Sequence, residues 1–114
     1  MKNIIAIYKA FWYSMSGLRY LLRERAFRQE LAICLVIIPL IFILDVSAIM
    51  RLYVMSSLFF VLISEAVNTG IEAAINRIGQ ERNELSKMAK DVGSAVVFIS
   101  IVHLVIVLIF AFFY

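Results

Sequence analysis

The chain has 114 residues, 64% of them hydrophobic, and a formal net charge of +3 at pH 7. Soluble domains are about 45–50% apolar, so this composition excludes an ordinary soluble domain and favours a single all-α domain embedded in a membrane. The only cysteine, Cys34, excludes an internal disulfide and a thiolate metal cluster, and its place in an apolar run predicts inert packing.

Residues 2–23 are predicted to form an amphipathic helix that lies on the membrane surface. Apolar and aromatic side chains recur every three or four residues, and basic side chains form the opposite stripe. Trp12, Tyr13 and Tyr20 suit the level of the lipid headgroups. The alternative is a helix packed on a soluble partner.

A charged hinge, residues 23–30, follows this helix. Glu24 is flanked by Arg23 and Arg25, and Arg28 lies four residues beyond it. On charge pattern alone, a solvated turn whose charges pair with one another is as well supported as a functional role for the segment.

Three apolar segments after the hinge predict three transmembrane helices. Pro39 is expected to kink the first, and Asp45 or Ser47 is expected to cap the start of the second. Gly79 is expected to end the second helix, and the third is expected to begin near Glu84. The predicted spans are 28–48, 51–75 and 92–114.

The basic residues predict the orientation of these spans. Six precede the first apolar run, which begins at Leu31, one (Arg51) lies between the first and second runs, and four lie in the connection 76–91. By the positive-inside rule, the N-terminus and this connection face the cytoplasm, while the C-terminus faces outward.

An acidic stripe runs along one face of the second span. Glu65, Asn68, Glu72 and Asn76 are spaced by three, four and four residues, which places them on the same side of a helix. Glu65 lies about 21 Å along the axis from Arg51, within the cytoplasmic half of the bilayer. A charged group at such depth costs roughly 2.5–3.5 kcal/mol, so the stripe requires a bundle interior, a partner or a function.

The start of the third helix carries a second polar face. Lys87, Lys90, Asp91 and Ser94 share it by their spacing. Together with Glu24 and the acidic stripe, they form an oxygen-rich set with cations at one level of the membrane. Carboxylate oxygens suit Mg²⁺, lysine binds phosphate as a point charge, and a carboxylate at this depth can accept a proton.

This combination fits phosphoryl transfer at a membrane surface, although no Walker A or kinase glycine-rich loop is present. Three classes therefore stay open from the residues alone: an enzyme acting on lipid, an oligomer that moves protons or cations, and a structural membrane subunit. His103 lies deeper in the third span, with no other titratable residue at its depth. It is expected to form an interhelical hydrogen bond rather than to act as a catalyst.

A series of short motifs runs along nearly the whole chain. They are Gly17-Leu-Arg19, Glu24-x-Ala-Phe-Arg-Gln-Glu30, Leu44-Asp-Val-x-Ala-Ile49, Glu65-x-x-Asn68, Ile71-Glu72, Arg77-Ile-Gly79, Glu84-Leu-Ser86 and Ala89-Lys-Asp-x-Gly-Ser-Ala95. In their order and spacing the chain resembles the prokaryotic integral-membrane diacylglycerol kinases. The block from Glu65 to Ala95 is highly specific, and the Ala-Phe-Arg-Gln-Glu run resembles the branch that uses diacylglycerol.

The resemblance implies a homotrimer in the bacterial inner membrane, with a periplasmic C-terminus and active sites shared between subunits. It implies transfer of the ATP γ-phosphate to diacylglycerol, with Glu65 as general base and with Mg²⁺ held by Glu24 and Glu72. Asn68 would support the polar site. The residues implied to bind ATP are Tyr13, Glu24, Glu72, Glu81, Arg82, Asn83, Lys90 and Asp91. Those implied to contact the lipid are Ser14, Arg19, Arg28, Glu30, Arg51, Glu65 and Ser94.

The chain departs from the family pattern at several positions near the expected nucleotide site. Asn76 stands where the family usually has Asp, Arg82-Asn83 replaces a more usual Tyr-His, and Ala6 replaces a basic residue. The alternatives to diacylglycerol kinase are an undecaprenol kinase with the same chemistry and a small ion-conducting or regulatory oligomer without enzymatic activity.

Overall fold

A computed structural model describes all 114 residues. The chain forms four helices, joined by short turns, and no strands. Three of these helices are long and apolar enough to cross a membrane, so the predicted all-helical fold with three candidate spans is confirmed. The helices are α1 (Lys2–Leu21), α2 (Arg25–Ile43), α3 (Ala48–Ile78) and α4 (Glu84–Phe113).

Helix α3 is the central element of the chain. It packs extensively against α4 and less extensively against α2, whereas no residue of α1 is buried. The core is small and draws on all three apolar helices, and Cys34 is part of it as a buried free thiol. Its members are Cys34, Ile41, Val54, Leu58, Val61, Leu104 and Val107.

Most apolar side chains of the chain point outward. Only 15 of the 114 residues are buried, while residues such as Leu35, Phe59 and Phe98 are more than half exposed. A soluble monomer rarely exposes so much contiguous apolar surface. Lipid, or another copy of the chain, is the environment that this surface requires.

Polar side chains define where α3 and α4 begin. Ser47 caps α3 by accepting a hydrogen bond from the Met50 backbone N–H at 3.3 Å. Asn83 caps α4 by accepting from the Leu85 and Ser86 N–H groups at 2.9 and 3.1 Å. Helix α4 therefore starts at Glu84, well before its apolar run, and α3 continues to Ile78, so both helices extend past the predicted spans at this end.

Arg28 organises the hinge between α1 and α2. Its Nη1 donates to the carbonyl oxygens of Leu22 and Arg23, at 3.1 and 2.9 Å. The interpretation of this segment as a self-paired turn is wrong, because none of the neighbouring arginines forms a salt bridge with Glu24. The orphan carbonyls at the end of α1 take the guanidinium instead, which leaves the Glu24 carboxylate without a cation.

Arg51 plays a similar part at the other end of the bundle. Its Nε donates to the carbonyl of Ile41 at 2.8 Å and its Nη2 to that of Leu44 at 3.2 Å, while the guanidinium lies 5.4 Å from the centre of the Phe42 ring. These contacts place a cation at the carboxyl end of α2, where the helix dipole favours positive charge. The side chain thus ties the start of α3 to the end of α2.

The predicted interhelical hydrogen bond of His103 is present. Ser57 Oγ donates to the Tyr53 carbonyl at 2.8 Å and lies 3.3 Å from His103 Nδ1. Because the serine proton is used on Tyr53, the imidazole Nδ1–H is the donor to Ser57. The bond joins α3 to α4 in the apolar part of the bundle, where such contacts contribute about 0.6 kcal/mol on average.

Replacing Arg51 with alanine is expected to lower the stability of the folded chain. The change leaves two carbonyl oxygens at the end of α2 without their charged donor, which costs about 1–3 kcal/mol. The measurement is the thermal unfolding midpoint in detergent micelles. Arg77→Ala is the control, since Arg77 forms no side-chain hydrogen bond or salt bridge in the structure; equal midpoints for the two variants would contradict the capping role.

Candidate active site

The acidic stripe of α3 contains two polar side chains that are buried. Glu65 and Asn68 are each only 8% exposed, whereas Glu72 and Asn76 lie nearer the Gly79 end of the helix and are exposed. Asn68 Nδ2 is 3.4 Å from Glu72 Oε1, a long hydrogen bond between successive turns. Polar groups of this kind are seldom buried without a partner or a task.

Glu65 interacts electrostatically with carboxylates of α2, α3 and the hinge. Glu72 on α3 and Glu24 at the hinge are the acidic groups whose charges act on it most strongly, and Glu65 in turn acts on Glu30 of α2. Helix α2 begins directly after Glu24, which is why the hinge brings this carboxylate to the level of the stripe. Like charges that act on one another in this way repel, which favours a bound cation in this region.

Two buried oxygen atoms in this region lack a hydrogen-bond partner. They are Glu30 Oε2 and Asn68 Oδ1, and both are acceptors. Such atoms are uncommon in folded proteins, and a cation or a hydroxyl donor would satisfy them. The oxygen donors suit Mg²⁺, but no three acidic, histidine or cysteine side chains lie close enough to hold an ion alone. Mg²⁺ ordinarily takes one or two carboxylates plus phosphate oxygens and water, and this donor set fits that pattern.

Gly93 allows α4 to approach the stripe. It is buried, and a Cβ atom built on it would overlap Asn68 Oδ1 and come within 3.5 Å of Ile71 Cδ1. Sequence reasoning assigned no role to this residue, although it stands among small residues at the start of the third span. Its lack of a side chain is what lets the two helices pack closely beside Asn68.

Lys87 and Lys90, on the polar face of α4, have different partners. Lys87 Nζ forms a salt bridge with Asp91 Oδ2 at 2.6 Å on the same helix. Lys90 Nζ instead donates to Asn76 Oδ1 at 2.8 Å and so joins α4 to α3. The predicted polar face is therefore assembled, with Lys87 neutralised and Lys90 bound to a neutral amide.

Two cavities flank the stripe. One, of about 840 Å³, lies between the end of α1 and α3, and Ser14, Glu24, Thr69 and Gly70 are among the residues that line it. The other, of about 260 Å³, lies against the loop between α3 and α4. Its polar lining comprises Gln80, Glu81, Arg82, Asn83, Ser86, Lys87 and Lys90.

Several predicted site residues form no side-chain hydrogen bond or salt bridge with these carboxylates in a single chain. Tyr13 is 73% exposed on α1, and Ser14 donates to the Ala10 carbonyl at 3.0 Å. Arg28 and Arg51 are occupied by carbonyl oxygens, and Arg51 lies at the opposite end of α3. Arg19 and Ser94 are exposed. Their roles in binding lipid or nucleotide stay predictions.

The chain matches the model of the prokaryotic diacylglycerol kinase family over residues 12–112. It is 48% identical to the diacylglycerol kinase of Escherichia coli strain K12 over 101 residues, which cover 88% of this chain and 83% of that protein. It is 42% identical to the diacylglycerol kinase of Haemophilus influenzae over 90 residues, covering 78% and 76% of the two chains. The enzyme of Pseudomonas aeruginosa is also 42% identical, over 96 residues that cover 83% and 78%. These matches show that the chain belongs to the prokaryotic diacylglycerol kinase family.

Proposed function

We propose that the protein transfers the γ-phosphate of ATP to the hydroxyl of diacylglycerol and produces phosphatidic acid. Membership of the family supports an ATP-dependent lipid kinase. The observation that carries the chemistry is the buried Glu65 carboxylate, which lies among three other carboxylates. A lipid hydroxyl reaching this depth in the membrane would meet a proton acceptor and, nearby, a cation for phosphate.

Glu65 acts in this proposal as the general base. As the lipid oxygen forms its bond to the γ-phosphorus, its proton passes to Glu65, and the bond from that phosphorus to the β,γ-bridging oxygen breaks to release ADP. Burial of the carboxylate keeps water away from the attacking oxygen. Asn68, one turn further along, contacts Glu72 and would keep that carboxylate oriented.

Glu24 and Glu72 would hold Mg²⁺, together with phosphate oxygens of the nucleotide. The ion would neutralise negative charge that develops on the phosphates. Support for this assignment comes from the proximity of both carboxylates to Glu65 and from the buried acceptor atom of Asn68. Lys90 would bind a phosphate group directly, since no carboxylate neutralises it.

The two cavities fit the two substrates. The cavity beside the α3–α4 loop is polar and cationic, so we assign it to the nucleotide, with Tyr13 and Asp91 as further contacts. The larger cavity opens beside Glu24 and has a mostly apolar lining, which suits the lipid. The further residues proposed to contact the lipid are Arg19, Arg28, Glu30, Arg51 and Ser94.

We also propose that three copies assemble in the bacterial inner membrane and share their active sites. The N-terminus and the α3–α4 loop would face the cytoplasm, because the basic residues concentrate on that side. The N-terminal helix would lie on the membrane surface. The small buried core and the unpartnered acceptor atoms support assembly, since neighbouring subunits would cover surface that one chain leaves open.

Glu65→Gln is expected to reduce kcat by at least about 100-fold, because an amide cannot accept the hydroxyl proton. Binding of a non-hydrolysable ATP analogue and the thermal midpoint should stay close to those of the unaltered protein. The measurement is phosphatidic acid formed from diacylglycerol and Mg-ATP in micelles, with undecaprenol as the competing lipid. Ser64→Ala, at the adjacent buried position, is the control. Equal loss of turnover and nucleotide binding would rule against Glu65 as the base, and faster phosphorylation of undecaprenol would reassign the substrate.

Glu72→Gln is expected to raise the Mg²⁺ concentration needed for half-maximal activity by at least about 10- to 100-fold, because the loss of a ligand should cost at least as much as the loss of a group that orients one. The measurement is a titration of activity with Mg²⁺ at constant free ATP. Asp45→Asn removes an exposed carboxylate just before α3, at the opposite end of the bundle from Glu72, and serves as the control, for which no shift is expected. An unchanged Mg²⁺ requirement in Glu72→Gln would contradict the assignment.

A further inference from the structure

We infer that Asn76 is a positioning residue: its side-chain amide holds the Lys90 ammonium across the α3–α4 interface and leaves its positive charge available to a phosphate group of the nucleotide. The inference rests on the proposed function and concerns how this chain binds the polyphosphate. It assigns a specific role to the last residue of the acidic stripe.

The geometry fixes one end of a long and flexible side chain. Lys90 Nζ lies 2.8 Å from Asn76 Oδ1, and the two residues belong to different helices. Asn76 is itself held near the end of α3, where Gln80 Nε2 lies 3.4 Å from its carbonyl oxygen. An ammonium group has three N–H donors. One is used on Asn76, so two are left for phosphate oxygens.

The charge of Lys90 stays uncancelled within the chain. The structure contains two salt bridges, Lys87 with Asp91 and Arg82 with Glu84. Neither includes Lys90, and a neutral amide can orient an ammonium group without neutralising it. Lys87, one turn earlier on the same helix, shows the contrasting case, because a carboxylate oxygen lies 2.6 Å from its nitrogen.

The surroundings of Lys90 suit a polyphosphate. It lines the cavity beside the α3–α4 loop together with Arg82, Ser86 and Lys87, and Glu81 is the only carboxylate there. Holding the ammonium in place before the nucleotide arrives reduces the entropy lost on binding. A carboxylate in place of the Asn76 amide would keep the contact but would cancel the charge and repel the phosphates.

Asn76→Asp tests this directly, since it preserves the shape of the side chain and adds one negative charge. The Kd of the full-length protein for a Mg²⁺-bound non-hydrolysable ATP analogue, measured by calorimetry in micelles, is expected to rise about three- to tenfold. Arg77→Gln is the matched control, because it changes the net charge by the same amount at the next residue without contacting Lys90. An equal rise in both variants would mean a general charge effect and would overturn the inference.

Asn76→Ala separates neutralisation from loss of the hydrogen bond. It removes the contact and adds no charge, so its Kd is expected to rise less than that of Asn76→Asp. An equal rise in the two variants would show that an uncancelled charge on Lys90 is not what Asn76 provides. Thermal midpoints of all variants are measured in parallel, and an affinity change that follows the midpoint across the variants would also overturn the inference.

A double-mutant cycle with Lys90→Met shows whether Asn76 acts through the lysine. In the Lys90→Met background, Asn76→Asp is expected to change the Kd less than about twofold, because the charge that it cancels is gone. A rise as large as that in the native background would overturn the inference. The proposed function is tested separately by phosphatidic acid formation with the unaltered protein. An active enzyme whose Kd is insensitive to Asn76→Asp would refute only the role of Asn76.

Discussion

Close approach of α4 to α3 at Gly93 is the contact on which the polar end of the molecule depends. The Asn68 amide occupies space that any side chain at Gly93 would fill. The two helices run in opposite directions, so residues before Gly93 lie beside residues after Asn68. Lys90 is therefore brought to Asn76, two turns beyond Asn68 on α3. A side chain at Gly93 would displace the Asn68 amide and disturb its contact with Glu72.

Arginine and carboxylate side chains have different kinds of partners in this chain. Arg28 and Arg51 donate to backbone carbonyls at helix ends, where unpaired oxygen atoms and the helix dipole both favour positive charge. The carboxylates of Glu24, Glu65 and Glu72 consequently have no basic partner within 4.0 Å. The arginines stabilise the scaffold, and the acidic groups remain available for a metal ion and for a proton.

Periodicity and composition were sufficient to predict the all-helical fold, the three apolar helices and the ends of elements marked by Ser47, Gly79 and Glu84. These features depend on neighbours along the chain, which a sequence displays directly. The contacts of the charged hinge could not be predicted in this way, because a run of arginines beside Glu24 does not reveal whether guanidinium groups will bind carboxylates or carbonyls. The contact of Lys90 with Asn76 and the role of Gly93 depend on the register between two helices, which helical spacing alone does not specify.

Two buried acceptor atoms without hydrogen-bond donors relate the fold to the phosphoryl-transfer reaction. They are Glu30 Oε2 and Asn68 Oδ1. A chain folded only for stability would be expected to pair such atoms or to replace them with apolar groups. Phosphoryl transfer to a lipid hydroxyl brings a donor, a proton and a divalent cation to the same place. The unsatisfied oxygen atoms are therefore consistent with a site that is completed only when its substrates, and the neighbouring subunits we propose, are present.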